Sequence, residues 1–268
     1  MTSPRRIGLI VPSSNVTMET ELPELLARHP SASTRPFTFH SSRAVLHRVD
    51  AESLRRMVAE SDRCAREIAD ARVDAVAYAC LIAVMAEGAG AHEAAEARLA
   101  GTLAGAGCSA PVTSSAGALV RQLKRLGAAR VAIVAPYVRP LTKLVIEYLA
   151  AYGIEVVASV SLGIADNVEV GRLDPGQLVD HASRLDLADA DAVVLSACVQ
   201  MPSLSAIDAA RCELRRPVIS AATATADELL MLLGESPGGP ELGAALAPAD
   251  GHAGDDLSAQ GGGSAYRM

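Results

Sequence analysis

The chain has 268 residues, of which 50% are hydrophobic and 21% are charged, and its formal net charge is −7. This length allows one large domain or two ordinary ones, and the core must be aliphatic because Trp is absent and only two Phe residues occur. The acidic balance without a basic stripe argues against nucleic acid as a partner, and no apolar run approaches the length of a membrane span.

The cysteines and the N-terminal residues indicate a cellular compartment. The chain contains five cysteines, an odd number, and no CxxC pair. The first apolar run is short and ends in PSSN, which suits a β-strand better than a signal peptide. We therefore expect a cytoplasmic protein with reduced thiols, and no metal site, since closely spaced Cys/His pairs are absent from the sequence.

Short apolar runs alternate along the chain with amphipathic stretches. In chain order, the runs predict strands at 5–11, 34–40, 74–79, 111–114, 130–135, 154–160, 191–197 and 217–220. After the second of these, helical spacing predicts a buried helix face made by Leu54, Met57, Ser61, Cys64, Ala65 and Ile68. Alternation of strands and helices at this length is typical of α/β proteins with parallel sheets.

The strand pattern also occurs twice. RIGLIVP ending at Pro12 reappears as RVAIVAP ending at Pro136, and RVDAESL reappears as RLDPGQL at the same offset. Two further strands begin with DAV and end in AC, at Cys80 and at Cys198, and PVTSSA corresponds to PVISAA. Four matching segments in the same order indicate a duplicated α/β unit.

We therefore predict an α/β fold of two pseudo-twofold-related units with parallel sheets and an active site in the cleft between them. The first unit is expected at 1–110, completed by about 217–234, and the second at 111–216. Residues 235–268, rich in Gly, Pro and Ala, are expected to form a disordered tail. Because ligands bind beyond the carboxyl ends of parallel strands, Cys80 and Cys198 should face each other across the cleft.

Six segments resemble one protein family: VPSSNVTMETELP, YACLIAVM, SSAGALV, PYVRPL, ADNVEVG and SACVQMPS, which together span about residues 7–222. They resemble the maleate cis–trans isomerases, a family of the aspartate/glutamate racemase superfamily. The resemblance implies two α/β domains, a small dicarboxylate substrate, maleate, and no cofactor or metal. We also expect a homo-oligomer.

The resemblance assigns roles to particular residues. Cys80 matches the cysteine that attacks the double bond, and Cys198 matches a second cysteine that exchanges a proton at the neighbouring carbon. Asn15, Tyr137 and Asn167 match residues that bind the substrate, and Asn15 also suits the cap of the helix that follows it. Neighbours on the same loops complete the expected substrate contacts: Ser14, Leu81, Ile82 and Val199.

The expected chemistry follows from the double bond. Addition of a thiolate converts the double bond into a single bond that rotates, and expulsion of the thiolate then leaves the trans isomer. The intermediate carbanion needs hydrogen-bond donors, which we expect from backbone N–H groups, amides and the hydroxyls of Ser114 and Ser115. Three alternatives stay open: a racemase or a decarboxylase of a related small acid, or a small-acid binding protein without catalysis.

Overall fold

The computed structural model describes residues 3–237, which form two four-stranded parallel sheets with flanking helices. The strands are β1 (Arg5–Pro12), β2 (Phe37–Ala44), β3 (Ala75–Tyr78), β4 (Val112–Ser114), β5 (Arg130–Ala135), β6 (Glu155–Ser161), β7 (Ala192–Ser196) and β8 (Val218–Ser220). The helices are α1 (Met18–Ala27), α2 (Ala51–Asp70), α3 (Leu81–Met85), α4 (Ala91–Gly105), α5 (Ser115–Arg125), α6 (Arg139–Ala151), α7 (Asn167–Val170), α8 (Gly176–Ser183), α9 (Ile207–Leu214) and α10 (Ala221–Leu232). The expected disordered tail lies, from residue 238 onward, outside the described residues.

The two sheets have the same topology. The first has the strand order β2-β1-β3-β4 and the second β6-β5-β7-β8, and every pairing is parallel. Strands β3 and β7, which precede the two cysteines, are buried along their whole length, as expected for parallel strands covered on both faces. The predicted α/β fold with two related parallel sheets is confirmed.

Helix α2 follows its sequence prediction closely. All six residues of the predicted apolar face are buried, and the Asp50 side chain caps the helix by accepting the Ser53 N–H at 2.9 Å. Strand β2, by contrast, runs from Phe37 to Ala44 and not from 34 to 40. It is an edge strand with exposed polar side chains such as Ser41 and Arg43, so a search for apolar runs ends too early.

Two strands lie on the other side of the predicted unit boundaries. β4 pairs with β3, so the first sheet extends past residue 110. β8 pairs with β7, so residues 218–220 belong to the second sheet. Only α10 from the segment 217–234 returns to the first half, where it packs against α1, α5 and β3. A helix that follows the second sheet in the chain therefore packs against elements of the first half, which two separate units in tandem would not require.

Helix α1 of the first half holds the loop that follows β7 of the second half. The buried carboxylate of Glu21 accepts the N–H groups of Ser203 at 2.5 Å and of Leu204 at 2.7 Å. The hydroxyl of Thr17 donates to the carbonyl oxygen of Gln200 at 2.7 Å. The loop that carries Cys198 therefore depends on contacts made by the other half.

Glu21 makes this contact dependent on pH. Burial raises the pKa of Glu21 above its ordinary value of 4.5, and the bonds from Ser203 and Leu204 only partly oppose the rise. Because the folded-state pKa is the higher one, the stabilising contribution is present below about pH 4.5 and is lost as pH rises through the folded-state pKa. The Glu21→Gln variant keeps an acceptor oxygen without titrating. Urea unfolding should therefore give similar stabilities for variant and wild type at about pH 4.5, and a growing advantage of the variant toward about pH 7.5.

Glu52→Gln, at an exposed position in the first turn of α2, serves as the control and should show no such divergence. A stability difference between Glu21→Gln and wild type that is constant with pH would contradict the raised pKa.

Candidate active site

The strand-end loops of both halves line a small, largely enclosed cavity. Its walls are Pro12, Asn15, Leu46, Val49, Cys80, Leu81, Ile82, Tyr137, Asn167, Cys198, Val199 and Gln200. The predicted catalytic and substrate-binding residues lie in this wall except Ser14, which stands behind it and accepts a hydrogen bond from the Asn167 side chain at 2.8 Å. The structure thus brings together residues as far apart along the chain as Pro12 and Gln200.

The two thiols occupy equivalent positions in the two halves. Cys80 follows β3 and immediately precedes α3, and Cys198 lies two residues beyond the end of β7. They are only 3% and 5% exposed. Burial raises the pKa of Cys80 to about 12, against a single opposing hydrogen bond from the Ala83 N–H, and the neighbouring Cys198 adds to the rise.

Cys198 has more hydrogen-bond donors than Cys80. Burial raises the pKa of Cys198 too, but the Tyr137 hydroxyl and the N–H groups of Gln200 and Met201 oppose this effect. The Gln200 N–H lies 3.4 Å from the Cys198 Sγ. Because Cys198 has three hydrogen-bond donors and Cys80 has one, a thiolate is stabilised more at Cys198 than at Cys80. The two chemically identical side chains therefore lie in different environments.

The two asparagines connect the halves while facing the cavity. Asn15 Oδ1 accepts the Met18 N–H, the first N–H of α1, at 3.0 Å, although the N-cap position is Thr17, and its Nδ2 donates to the carbonyl oxygen of Val199 at 3.2 Å. Asn167 is the first residue of α7, whose start is fixed by the Asp166 side chain accepting the Val168 N–H at 2.8 Å. The Asn15 amide is thus fixed by two hydrogen bonds, and the Asn167 amide by its bond to the Ser14 hydroxyl.

The expected hydroxyl donors of the TSSA segment lie elsewhere. Ser114 caps α5 by accepting the Gly117 N–H at 3.0 Å, and it donates to Glu96 at 2.8 Å. Ser115 is buried and accepts a hydrogen bond from Thr225 at 3.1 Å. Both hydroxyls are committed to holding helices together, so the expectation that they face the substrate is wrong.

Four residues of the wall were not predicted: Pro12, Leu46, Val49 and Gln200. Leu46 and Val49 lie in the loop between β2 and α2. Because the sequence predicts the end of this strand at residue 40 and not at Ala44, it does not place these two residues directly after a strand. The sequence does contain a sign that these two residues are buried, because they are apolar and stand in a loop with polar neighbours. Gln200 belongs to the segment SACVQMPS and could have been singled out from it.

The twelve side chains described around the cavity carry no formal charge when both thiols are protonated. Among residues 3–237, no three His, Cys, Asp or Glu side chains converge as metal ligands would. Within the same range, none of the helices combines the length and apolar character needed to cross a membrane.

Comparison with known proteins places this site in a family. The family model described as arylmalonate decarboxylase matches residues 7–244. A maleate isomerase from Geobacillus stearothermophilus is 54% identical over 243 residues, which cover 90% of this chain and 97% of that protein. The chain belongs to the maleate isomerase family. The resemblance found in the sequence, and with it the expectation of an enzyme, is confirmed.

Two solved structures of the family extend the comparison. A Pseudomonas putida S16 maleate isomerase, in a cysteine-to-alanine variant with maleate, has a TM-score of 0.87 and 44% identity, covering 91% of this chain and 99% of that one. A Nocardia farcinica maleate cis–trans isomerase, in a cysteine-to-serine variant with a covalently bound succinylcysteine intermediate, has a TM-score of 0.85 and 47% identity, covering 90% and 99%.

The hydrogen bond from Tyr137 to the Cys198 sulfur yields a test of the site's electrostatics. Its removal in Tyr137→Phe leaves the thiolate of Cys198 with one donor fewer, so the pKa of that thiol should rise further. The pH dependence of Cys198 alkylation by iodoacetamide, followed by peptide mass spectrometry, reports this pKa as its midpoint. The midpoint should move to higher pH in Tyr137→Phe.

Tyr152→Phe is a matched control, because that hydroxyl bonds to Glu93 and to the Gly90 N–H, outside the cavity. An unchanged midpoint in Tyr137→Phe, or an equal shift in Tyr152→Phe, would show that the phenol does not govern Cys198.

Proposed function

We propose that this protein isomerises maleate to fumarate through a transient covalent bond between Cys80 and one alkene carbon. The observation that carries the proposal is the presence of two buried thiols from equivalent strand ends on one enclosed cavity. The succinylcysteine intermediate in the Nocardia farcinica relative, and the maleate held by the Pseudomonas putida relative, support a cysteine-based reaction on this substrate.

The proposed reaction conserves protons between the two sulfurs. Cys198, as thiolate, takes the proton of the Cys80 thiol, and the Cys80 sulfur bonds to one alkene carbon while the π electrons move toward the other carbon and its carboxylate. Cys198 returns the proton to that second carbon, which leaves a succinyl group on Cys80. The former double bond, now a carbon–carbon single bond, rotates. Cys198 then removes the proton from the second carbon, the carbon–sulfur bond breaks and fumarate is released. The proton finally returns from Cys198 to Cys80.

Because burial raises the pKa of both thiols, the reaction starts from the fraction of molecules in which Cys198 has released its own proton to solvent, and the exchange then runs between the two sulfurs. A proton that moves between two buried sulfurs leaves the net charge of the cavity unchanged, so the transfer avoids the large cost of burying an additional charge. The donors around Cys198 let it carry the negative charge before substrate addition. Cys80, with fewer donors, is then the stronger nucleophile once deprotonated, because a thiolate of higher pKa is intrinsically more reactive.

Neutral donors serve the substrate carboxylates. The first N–H groups of a helix have no partner within that helix, and Leu81 and Ile82 present this end of α3 at the cavity. The amides of Asn15 and Asn167 add fixed dipoles in the same wall. These groups stabilise the enediolate-like intermediate as charge develops on the carboxylate next to the carbanion.

Maleate turnover is the direct test. Purified protein mixed with maleate should produce fumarate, followed by proton NMR, in buffer without added cofactor and equally with a metal chelator present. Binding of maleate without fumarate would favour the silent binding protein instead. A racemase or decarboxylase would act on related acids and leave maleate unchanged. The maleate isomerases at 54% and 51% identity favour isomerisation over these alternatives.

Separate substitution of the two cysteines distinguishes their roles. Cys80→Ala should abolish turnover, by at least about 10³-fold, because no covalent bond can form. Cys198→Ala should also lose turnover, while slow addition in which water takes the Cys80 proton and protonates the carbanion lets a succinyl adduct accumulate on Cys80, visible as added mass in intact-protein mass spectrometry. Cys212→Ser, at an exposed cysteine, is the control and should keep full activity. Adduct formation in Cys80→Ala would reverse the proposed assignment.

The chemistry also bears on where and in what form the enzyme works. All five cysteines are unpaired, and the reaction needs Cys80 and Cys198 to stay reduced, so we place the protein in the cytoplasm. A homo-oligomer remains part of the proposal, and light scattering coupled to size-exclusion chromatography measures it.

A further inference from the structure

Gln200 lies two residues beyond Cys198, and its side-chain amide is hydrogen-bonded through both hydrogens of Nε2 and through Oε1. The residue is 2% exposed. Its Nε2 donates to the carbonyl oxygen of Ser14 at 3.0 Å and to that of Asn167 at 2.9 Å, and its Oε1 accepts the Val16 N–H at 3.1 Å. Reversing the amide would bring its oxygen against two carbonyl oxygens, so these partners fix its orientation.

These partners are the backbone groups that position the two asparagines of the cavity. Ser14 and Val16 flank Asn15 on either side, and the third partner belongs to Asn167 itself. One buried amide therefore holds the backbone of both asparagines, one from each half of the molecule.

The main chain of Gln200 serves the reacting sulfur. Its N–H lies 3.4 Å from the Cys198 Sγ, and its carbonyl oxygen accepts the Thr17 hydroxyl at 2.7 Å. The side-chain amide and the N–H that donates to Cys198 belong to the same residue, so we expect a displacement of the amide to move this donor as well.

Gly171, which ends α7, provides independent support for this arrangement. Its φ of −70° and ψ of −10° are accessible to any residue, so the backbone conformation does not require glycine. A Cβ atom at this position would lie 2.5 Å from Nε2 of Gln200. Glycine is needed here for the space that the Gln200 amide occupies.

We propose that Gln200 is a positioning residue for the isomerisation, which orients Asn15 and Asn167 and sets the acidity of Cys198 as one unit. The activity readout of this inference rests on the proposed function, whereas the thiol readout described below does not. The side chain acts through its neighbours.

Gln200→Glu tests the amide with nearly unchanged shape. The introduced carboxylate would face two carbonyl oxygens in place of the Nε2 donor, so kcat at neutral pH should fall by about 10²-fold through misplacement of the asparagines. Protonation of that carboxyl restores one donated hydrogen bond. The activity of the variant relative to wild type should therefore rise as pH is lowered, which a merely loosened fold would not produce.

Gly171→Ala moves the same amide from outside the cavity. The added methyl group should displace Nε2 of Gln200 and lower kcat by about tenfold, with the protein still folded because the end of a flexible side chain can yield. Gly101→Ala, inside α4 with no atom within 4 Å of the added Cβ, is the matched control and should leave kcat unchanged.

The alkylation midpoint of Cys198, measured in the Cys80→Ala background, gives a readout without turnover. Gln200→Glu should move that midpoint to higher pH, whereas changes in access alone would alter only the plateau rate. If wild type failed to convert maleate while the midpoint still shifted, the proposed function would fall, and the control of the Cys198 thiol by Gln200 would stand. An unmoved midpoint together with a pH-independent activity ratio would overturn the role of Gln200.

Discussion

The sulfurs of Cys80 and Cys198 are buried in the wall of a cavity whose described residues are uncharged when the thiols are protonated, and this constraint shapes the site. A thiolate in such surroundings is costly, which is why burial dominates the pKa of both Cys80 and Cys198. Hydrogen-bond donors stabilise the thiolate, and none of the described wall residues is a cation. Because the donors are distributed three to one in favour of Cys198, a thiolate is better stabilised at Cys198 than at Cys80.

Two of these donors, the N–H groups of Gln200 and Met201, belong to a loop that both halves of the molecule hold in place. The loop after β7 belongs to the second half, yet Asn15, Thr17 and Glu21 of the first half bind its backbone. Gln200 extends this set of contacts back to Ser14 and across to Asn167. The contacts that hold the halves together thus lie on the loop that carries Cys198, so we expect loosening of the interface to displace this part of the cavity wall.

The sequence predicts most of this arrangement where the signal is local or repeated. The positions of Cys80 and Cys198 at matching strand ends follow from the duplicated pattern, and the buried face of α2 follows from helical periodicity. Leu46 and Val49 escaped prediction because an edge strand with polar outer side chains gives no apolar run to mark its end. Ser114 and Ser115 were misassigned because a hydroxyl after a strand suits a helix cap as well as a ligand, and spacing alone does not separate the two uses.

The return of α10 to the first half has a consequence for synthesis of the chain. This helix, which is buried on nearly all sides, packs against α1, α5 and β3, although it is encoded after the entire second half. The N-terminal sheet consequently emerges from the ribosome long before the helix that covers part of it. We expect the nascent N-terminal half to stay incomplete, with apolar surface uncovered, until translation has passed residue 232.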